Sequence, residues 1–278
     1  MAVVLALLTA VVYGSADFLG GKATRHVSAI GVTLVGQFFG IVVLGIATFL
    51  ADTPVPPPSD WAWSALAGVL GSSGLVVFYK AMSSGHMTVA APTAAVMGAI
   101  VPIIAGLIMG ERPSTATLVA MPVAVVAIAL ISDVLGPGHH RAPARTISLA
   151  VLGGSLFGFV FVALHQTSSD SGVWPVFIMR MTSIPYLAVL FFVTRSSIKG
   201  VRAQIAPTIG SGLLDSIANW LYVLAVREGL LSVVSVIVSL YPGTTMMLAV
   251  GVDHERVHRS QIFGVALAAL AVCVIALD

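Results

Sequence analysis

Apolar runs of about 20 residues recur along nearly the whole chain, each closed by a short polar stretch. That spacing predicts membrane-spanning helices. Ten spans follow, at Ala2–Gly21, Ser28–Leu50, Trp61–Met82, Met87–Met109, Thr115–Val134, Ser148–His165, Val173–Thr194, Ile205–Val226, Leu230–Val252 and Ser260–Leu277. The first has no Lys or Arg before its apolar run, so it reads as a span and not as a signal peptide. TPVPPPSD breaks the chain after span two, and Trp61 and Trp63 stand where indole rings settle at a membrane interface. The longest polar connection is GPGHHRAPAR, between spans five and six. Its His139 and His140 have no carboxylate or thiol beside them and make a poor metal site.

The pattern occurs twice. A shift of 144 residues lays Gly68–Arg112 on Gly212–Arg256 without a gap. Gly68 falls on Gly212, Ala81 on Ala225, Gly85 on Gly229, Val89 on Val233, and Glu111-Arg112 on Glu255-Arg256. The same shift brings Gly14 onto Gly158 and Ala124 onto Ala268. We therefore divide the chain into a first repeat at 1–134, a connecting loop at 135–147 and a second repeat at 148–278. Five spans per repeat is an odd number, so the two copies enter the membrane in opposite directions. The expected fold is an all-α integral membrane protein with two inverted five-helix repeats around a central cavity.

Composition agrees with a lipid solvent. The chain is 58% hydrophobic and 9% charged, with a mean hydropathy of +1.04, whereas a soluble domain carries about 25% charged residues. The net charge of +2 is spread over many loops and leaves no footprint for nucleic acid. Cys273 is the only cysteine, so no disulfide framework or thiol metal cluster is expected, and no cofactor or metal is implied. Connections after odd-numbered spans hold ten Lys and Arg residues, those after even-numbered spans only Arg112 and Arg227. The positive-inside rule then puts both termini outside the cytoplasm.

YGSADFLGG in span one, FYKAMSSGHMTVAAP followed by GER, and SLYPGTT in span nine resemble the EamA family of the drug/metabolite transporter superfamily. The resemblance covers essentially the whole chain. It implies a ten-helix basket in which spans one to four and six to nine surround a cavity while spans five and ten pack outside. It also implies termini in the cytoplasm, opposite to the loop charges. DHERVHR stands where the first repeat has MGERPST. The family handles sugars, amino acids, nucleobases and drugs, so the resemblance names no substrate.

Residues shared by the repeats should build the scaffold, and embedded polar residues found in one repeat only are candidates for the site. Asp17 falls opposite Phe161, Arg180 opposite Gly36, Asp215 opposite Gly71 and Asn219 opposite Leu75. A charge within a span costs about 2.5–3.5 kcal/mol on insertion scales, so each needs a partner or water. Asp215, Asn219 and Tyr222 follow at i, i+4 and i+7, one polar stripe on span eight. Asp215 reads as a proton or substrate-amine site, or as a carboxylate locked on Arg180. Arg180 reads as a grip for a carboxylate or phosphate, as the partner of an Asp, or as a snorkelling cation. Asp17 either faces the cavity or contacts Lys22 or Arg25 at the helix end, and Tyr13 shares its face. In span nine Ser239 precedes Tyr241-Pro242, and the proline should free backbone carbonyls for a ligand or hinge. Glu111 and Glu255 read as local caps or salt-bridge partners.

The best functional reading is a secondary active transporter exporting a small metabolite or drug from the cell through the plasma membrane, as a monomer or homodimer. Proton coupling is one option. An importer, exchanger or uniporter of the same fold is the alternative; an integral-membrane enzyme or a channel is the alternative of another class. No GxxxxGK[ST] phosphate loop is present to make ATP the direct fuel.

Overall fold

In hydrocarbon no water completes an unpaired amide, so each apolar run satisfies its backbone within itself as a helix. A computed structural model describes residues 1–51, 53–82, 87–131, 143–253 and 258–277, and among these there is no strand. The first repeat contributes α1 (Ala2–Thr24), α2 (Ala29–Leu50), α3 (Pro58–Met82), α4 (Met87–Ile108) and α5 (Thr115–Ile131). The second contributes α6 (Ala144–His165), α7 (Trp174–Val193), α8 (Ile205–Arg227), α9 (Leu231–Val238), α10 (Tyr241–Asp253) and α11 (Arg259–Leu277). Eight segments are long and apolar enough to cross a membrane, and two shorter apolar stretches stand at Thr93–Ile108 and Thr115–Ile131. His139, His140, Glu255 and Arg256 lie outside the described residues.

Span nine is interrupted just before Pro242. It is α9 and α10, interrupted at Ser239-Leu240. Pro242 is the second residue of α10, where its missing N–H would have had no intrahelical partner anyway. With no N–H on Pro242, the Val238 carbonyl has no i+4 donor at the interruption.

The repeats are interleaved. Each helix of the first repeat packs chiefly on helices of the second: α1 on α8, α2 on α8 and α7, α3 on α6 and α7, α4 on α6 and α9, and α5 on α11. These pairs are images of one another under exchange of the repeats, since α1 on α8 maps to α6 on α3, and α2 on α8 maps to α7 on α3. The glycines common to both repeats stand at these crossings. A Cβ on Gly14 would lie 2.5 Å from the Tyr241 carbonyl oxygen, and one on Gly158 2.6 Å from the Val101 Cβ. A Cβ on Gly68 would lie 2.5 Å from the Met179 carbonyl oxygen, and one on Gly212 would collide with the Gly36 backbone. Small residues let backbones close up where lipid supplies no hydrophobic drive between helices.

Connections after even-numbered spans meet at one end. There the Asp60 carboxylate, 1% exposed, accepts from the Ser168 amide at 3.0 Å, the Ser168 hydroxyl at 3.1 Å and the Ser171 hydroxyl. Arg227 donates to the Ser168 and Gly172 carbonyls at 2.9 and 3.2 Å. Glu111 accepts from the amides of Leu231 and Ser232, which caps the N-terminus of α9 in the other repeat. Alternation of the spans puts the opposite connections at the far end, where the Ser28 hydroxyl donates to the Ser197 carbonyl at 2.7 Å.

Adding one methyl at the tightest crossing should be felt. Gly212→Ala is expected to cost about 1–3 kcal/mol, the usual range for overpacking. Gly251→Ala has nothing within 4 Å of the new atom and should leave the melting temperature unchanged. Thermal unfolding of both variants in one detergent checks the contrast.

Candidate functional site

The break at Ser239-Leu240 faces a cavity of about 100 Å³ in the middle of the bundle. The Ser239 hydroxyl is buried without a hydrogen-bond partner, and the Tyr241 ring lines the same space. The break is a hydrogen-bonded turn: Ser239 keeps right-handed helical dihedrals, its N–H donates to the Ser235 carbonyl at 2.9 Å, and the Leu240 N–H donates to the Ile237 carbonyl at 3.1 Å. α1 supplies Tyr13 and Asp17, one helical turn apart, α2 supplies Gln37, α7 Arg180, and α8 Asp215 and Asn219. Facing them are Gly71 and Leu75 of α3, Ala94 and Gly98 of α4, and Phe157, Val160 and Phe161 of α6. Neither α5 nor α11 contributes; they pack on each other outside.

The two walls are repeat images. Tyr13 corresponds to Phe157, Asp17 to Phe161, Asp215 to Gly71 and Asn219 to Leu75, and all eight line the one cavity. A backbone of two-fold character thus encloses a space polar on the α1–α8 side and apolar on the α6–α3 side.

Arg180 is 1% exposed, which rules out snorkelling. Its guanidinium makes an ion pair with Asp215, and its Nε donates to the Ser216 hydroxyl at 3.3 Å. Asp215 keeps 36% of its side chain open to the cavity. The Asn219 amide donates back to the Asp215 carbonyl at 2.7 Å. Behind Arg180, the Ser183 hydroxyl donates to Gln37 Oε1 at 2.6 Å. Asp17 is half-buried, lines the cavity, and has no ion pair among the described residues. A smaller space runs from Asp17 and Asp215 past Thr33, Gly36 and Ser211, towards the end away from Asp60.

Tyr222 does not line the cavity. It is fully buried, stacks on Phe161 at 4.4 Å between ring centroids, and donates to the Phe161 carbonyl at 3.0 Å. It braces the wall that Phe161 presents. Pro242 likewise is not among the lining residues. Gln37, Phe157, Phe161 and Tyr241 belong to the lining and were not singled out from sequence. The signal for the phenylalanines was their register opposite Tyr13 and Asp17.

The EamA-like transporter family model matches residues 1–133 and 144–277, once for each repeat. The chain belongs to the EamA-like transporter family. It is accordingly a multi-pass integral membrane protein of the drug/metabolite transporter superfamily. A solved crystal structure shares the fold at a TM-score of 0.81 over 99% of this chain and 96% of its own, with 16% sequence identity. At that identity the likeness concerns the fold alone. No curated protein matches the sequence.

In this EamA-like cavity the charges divide into a consumed pair and a spare carboxylate. Removing Asp215 would strand a buried guanidinium without its partner. Asp215→Asn should lower stability by on the order of 2 kcal/mol, less than the roughly 3–5 kcal/mol of a fully buried pair because Asp215 is partly open. Arg180→Met combined with Asp215→Leu should recover most of that loss, and Asp17→Asn should cause little. A thermal-shift series in detergent checks all three, and an unchanged melting temperature for Asp215→Asn would refute the pairing.

Proposed function

We propose that the protein is a secondary active transporter that exports a small organic solute across the plasma membrane by alternating access. The observation that carries this reading is the placement of the cavity. It lies where the two repeats meet, beside a broken spanning helix, and its polar groups have no polar counterparts in the other repeat. Discontinuous helices near mid-membrane are characteristic of transporter binding sites. A discrete, one-sided site also favours a carrier over a symmetric pore.

The inverted repeat supplies the motion. Five spans in each copy, with contacts that exchange under the two-fold relation, support rocking of one repeat against the other around the cavity. The bonds at Asp60, Arg227 and Glu111 tie the repeats at one end, and the side space from Asp17 leads to the other. This supports a state closed at the even-connection end. The ten-to-two bias of Lys and Arg supports a cytoplasmic location for the opposite end, which puts both termini outside.

Asp17 is the better candidate for proton coupling than Asp215, because Asp215 is already committed to Arg180. Coupling then means that Asp17 loads and releases a proton as the two sides open in turn.

Proteoliposomes test the transporter reading. Flux of a solute that stabilises the purified protein should saturate with concentration and accelerate under an imposed pH gradient. Asp17→Asn should lose the acceleration. Flux that rises linearly without saturation would favour a channel instead. For orientation, alkaline phosphatase fused to the C-terminus should be active and green fluorescent protein at the same position dark; the reverse pattern would put the termini in the cytoplasm.

A further inference from the structure

We infer that the cavity takes an organic cation, an ammonium group carried on an apolar or aromatic body. This inference rests on the reading of the cavity as the transport site. Three independent features point the same way.

The first is the charge left over after pairing. Among the described lining residues the charged side chains are Asp17, Arg180 and Asp215. Arg180 is 1% exposed, one of its terminal nitrogens pairs with Asp215 and its Nε donates to Ser216, so its charge is already met by a carboxylate. What faces the space is the Asp17 carboxylate and the open part of Asp215. With Asp17 ionised, two carboxylates against one enclosed guanidinium leave an acidic surplus, which an ammonium group balances and a neutral or anionic ligand does not.

The second is aromatic. Tyr13 stands between Phe161 and Tyr241, with ring centroids 6.3 and 6.5 Å away and planes tilted by 52° and 58°. All three line the cavity beside Asp17. Tilted rings around a carboxylate suit a cation, which is drawn to ring faces and edges the acid at once. The Tyr222 ring stacked behind Phe161 holds that face in place.

The third is the Ser239 hydroxyl, 1% exposed, on the cavity wall, and without a hydrogen-bond partner. Buried hydroxyls are normally satisfied, so an unpartnered one on a residue of the cavity wall is open to pairing with a ligand group. An ammonium N–H supplies the donor; a quaternary nitrogen does not. Opposite these groups, Leu75, Phe157 and Val160 form the apolar wall that receives the carbon body.

Calorimetry on the purified full-length protein tests this with benzylamine and 2-phenylethylamine, the neutral 2-phenylethanol, the anionic 3-phenylpropionate, and the N,N,N-trimethyl form of 2-phenylethylamine. The primary amines should bind, and the alcohol and the acid should bind at least roughly tenfold more weakly, if at all. Asp17→Asn should cost the amines roughly tenfold or more without moving the melting temperature. Ser239→Ala should weaken the primary amine several-fold and leave the trimethyl form unaffected. The inference is overturned if 3-phenylpropionate binds as tightly as the amines, or if neither amine binds more tightly than about 1 mM. Unchanged amine binding by a folded Asp17→Asn protein overturns it as well. Should that variant not fold, the charge series on the wild-type protein decides alone. Amine binding without flux in proteoliposomes would reject the transporter reading and keep this one. Saturable flux of a sugar or an acid without amine binding would do the reverse.

Discussion

A bilayer withholds the one partner that irregular backbone usually relies on, and the architecture follows from that constraint. Every apolar segment closes its own hydrogen bonds as a helix, and the chain can afford a break only where something other than lipid surrounds it. The interruption between α9 and α10 meets this condition. Ser239 lines the central space while Leu240 packs on Ala95 and Ile128, and the Thr245 hydroxyl reaches back to the Gly14 carbonyl at 3.0 Å and ties α10 to α1. Location of the cavity and location of the break are thus two results of the same rule.

The same solvent governs the charges. An arginine in the middle of a bundle has no route to the interface, so its position is set by the carboxylate that neutralises it. Asp215 does so from the neighbouring helix, Ser216 takes a further donor, and the Arg180 side chain then acts as part of the wall. Because that pair is internal, the electrostatic character of the cavity is decided by what remains outside it. The geometry takes one cation and one carboxylate out together and leaves Asp17 facing the space.

Much of this organisation was legible beforehand, and for a physical reason. Spans announce themselves because lipid demands long apolar runs, and the repeat was visible because close backbone crossings require glycine at fixed places, Gly68 and Gly212 among them. Asp17, Arg180, Asp215 and Asn219 could be picked out since a polar residue with an apolar image carries a cost that scaffold alone does not explain. Tyr222 shows the limit of that reasoning. It continues the stripe of Asp215, but seven residues along the helix is about 10 Å of rise, and there the stripe has passed from cavity to wall. Phe161 shows the opposite limit: nothing in its local sequence separates it from Phe159, which is 50% exposed on the outer surface. Glu111 was expected to act locally, whereas its partners lie 120 residues away on α9. Contacts between repeats depend on which helices cross, and periodicity within one helix does not report that.

The glycine crossings have a mechanical consequence. Where two helices interlock through large side chains, sliding one along the other means lifting each side chain out of its slot and turning it to a new rotamer. At Gly14 against Tyr241, Gly68 against Met179 and Gly212 against Gly36 there is almost nothing to lift, because backbone runs against backbone. In the proposed rocking these contacts would serve as smooth bearings, firm across the joint and compliant along it. The bonds that must part are then the polar ones of Asp60, Arg227 and Glu111, all at the even-connection end.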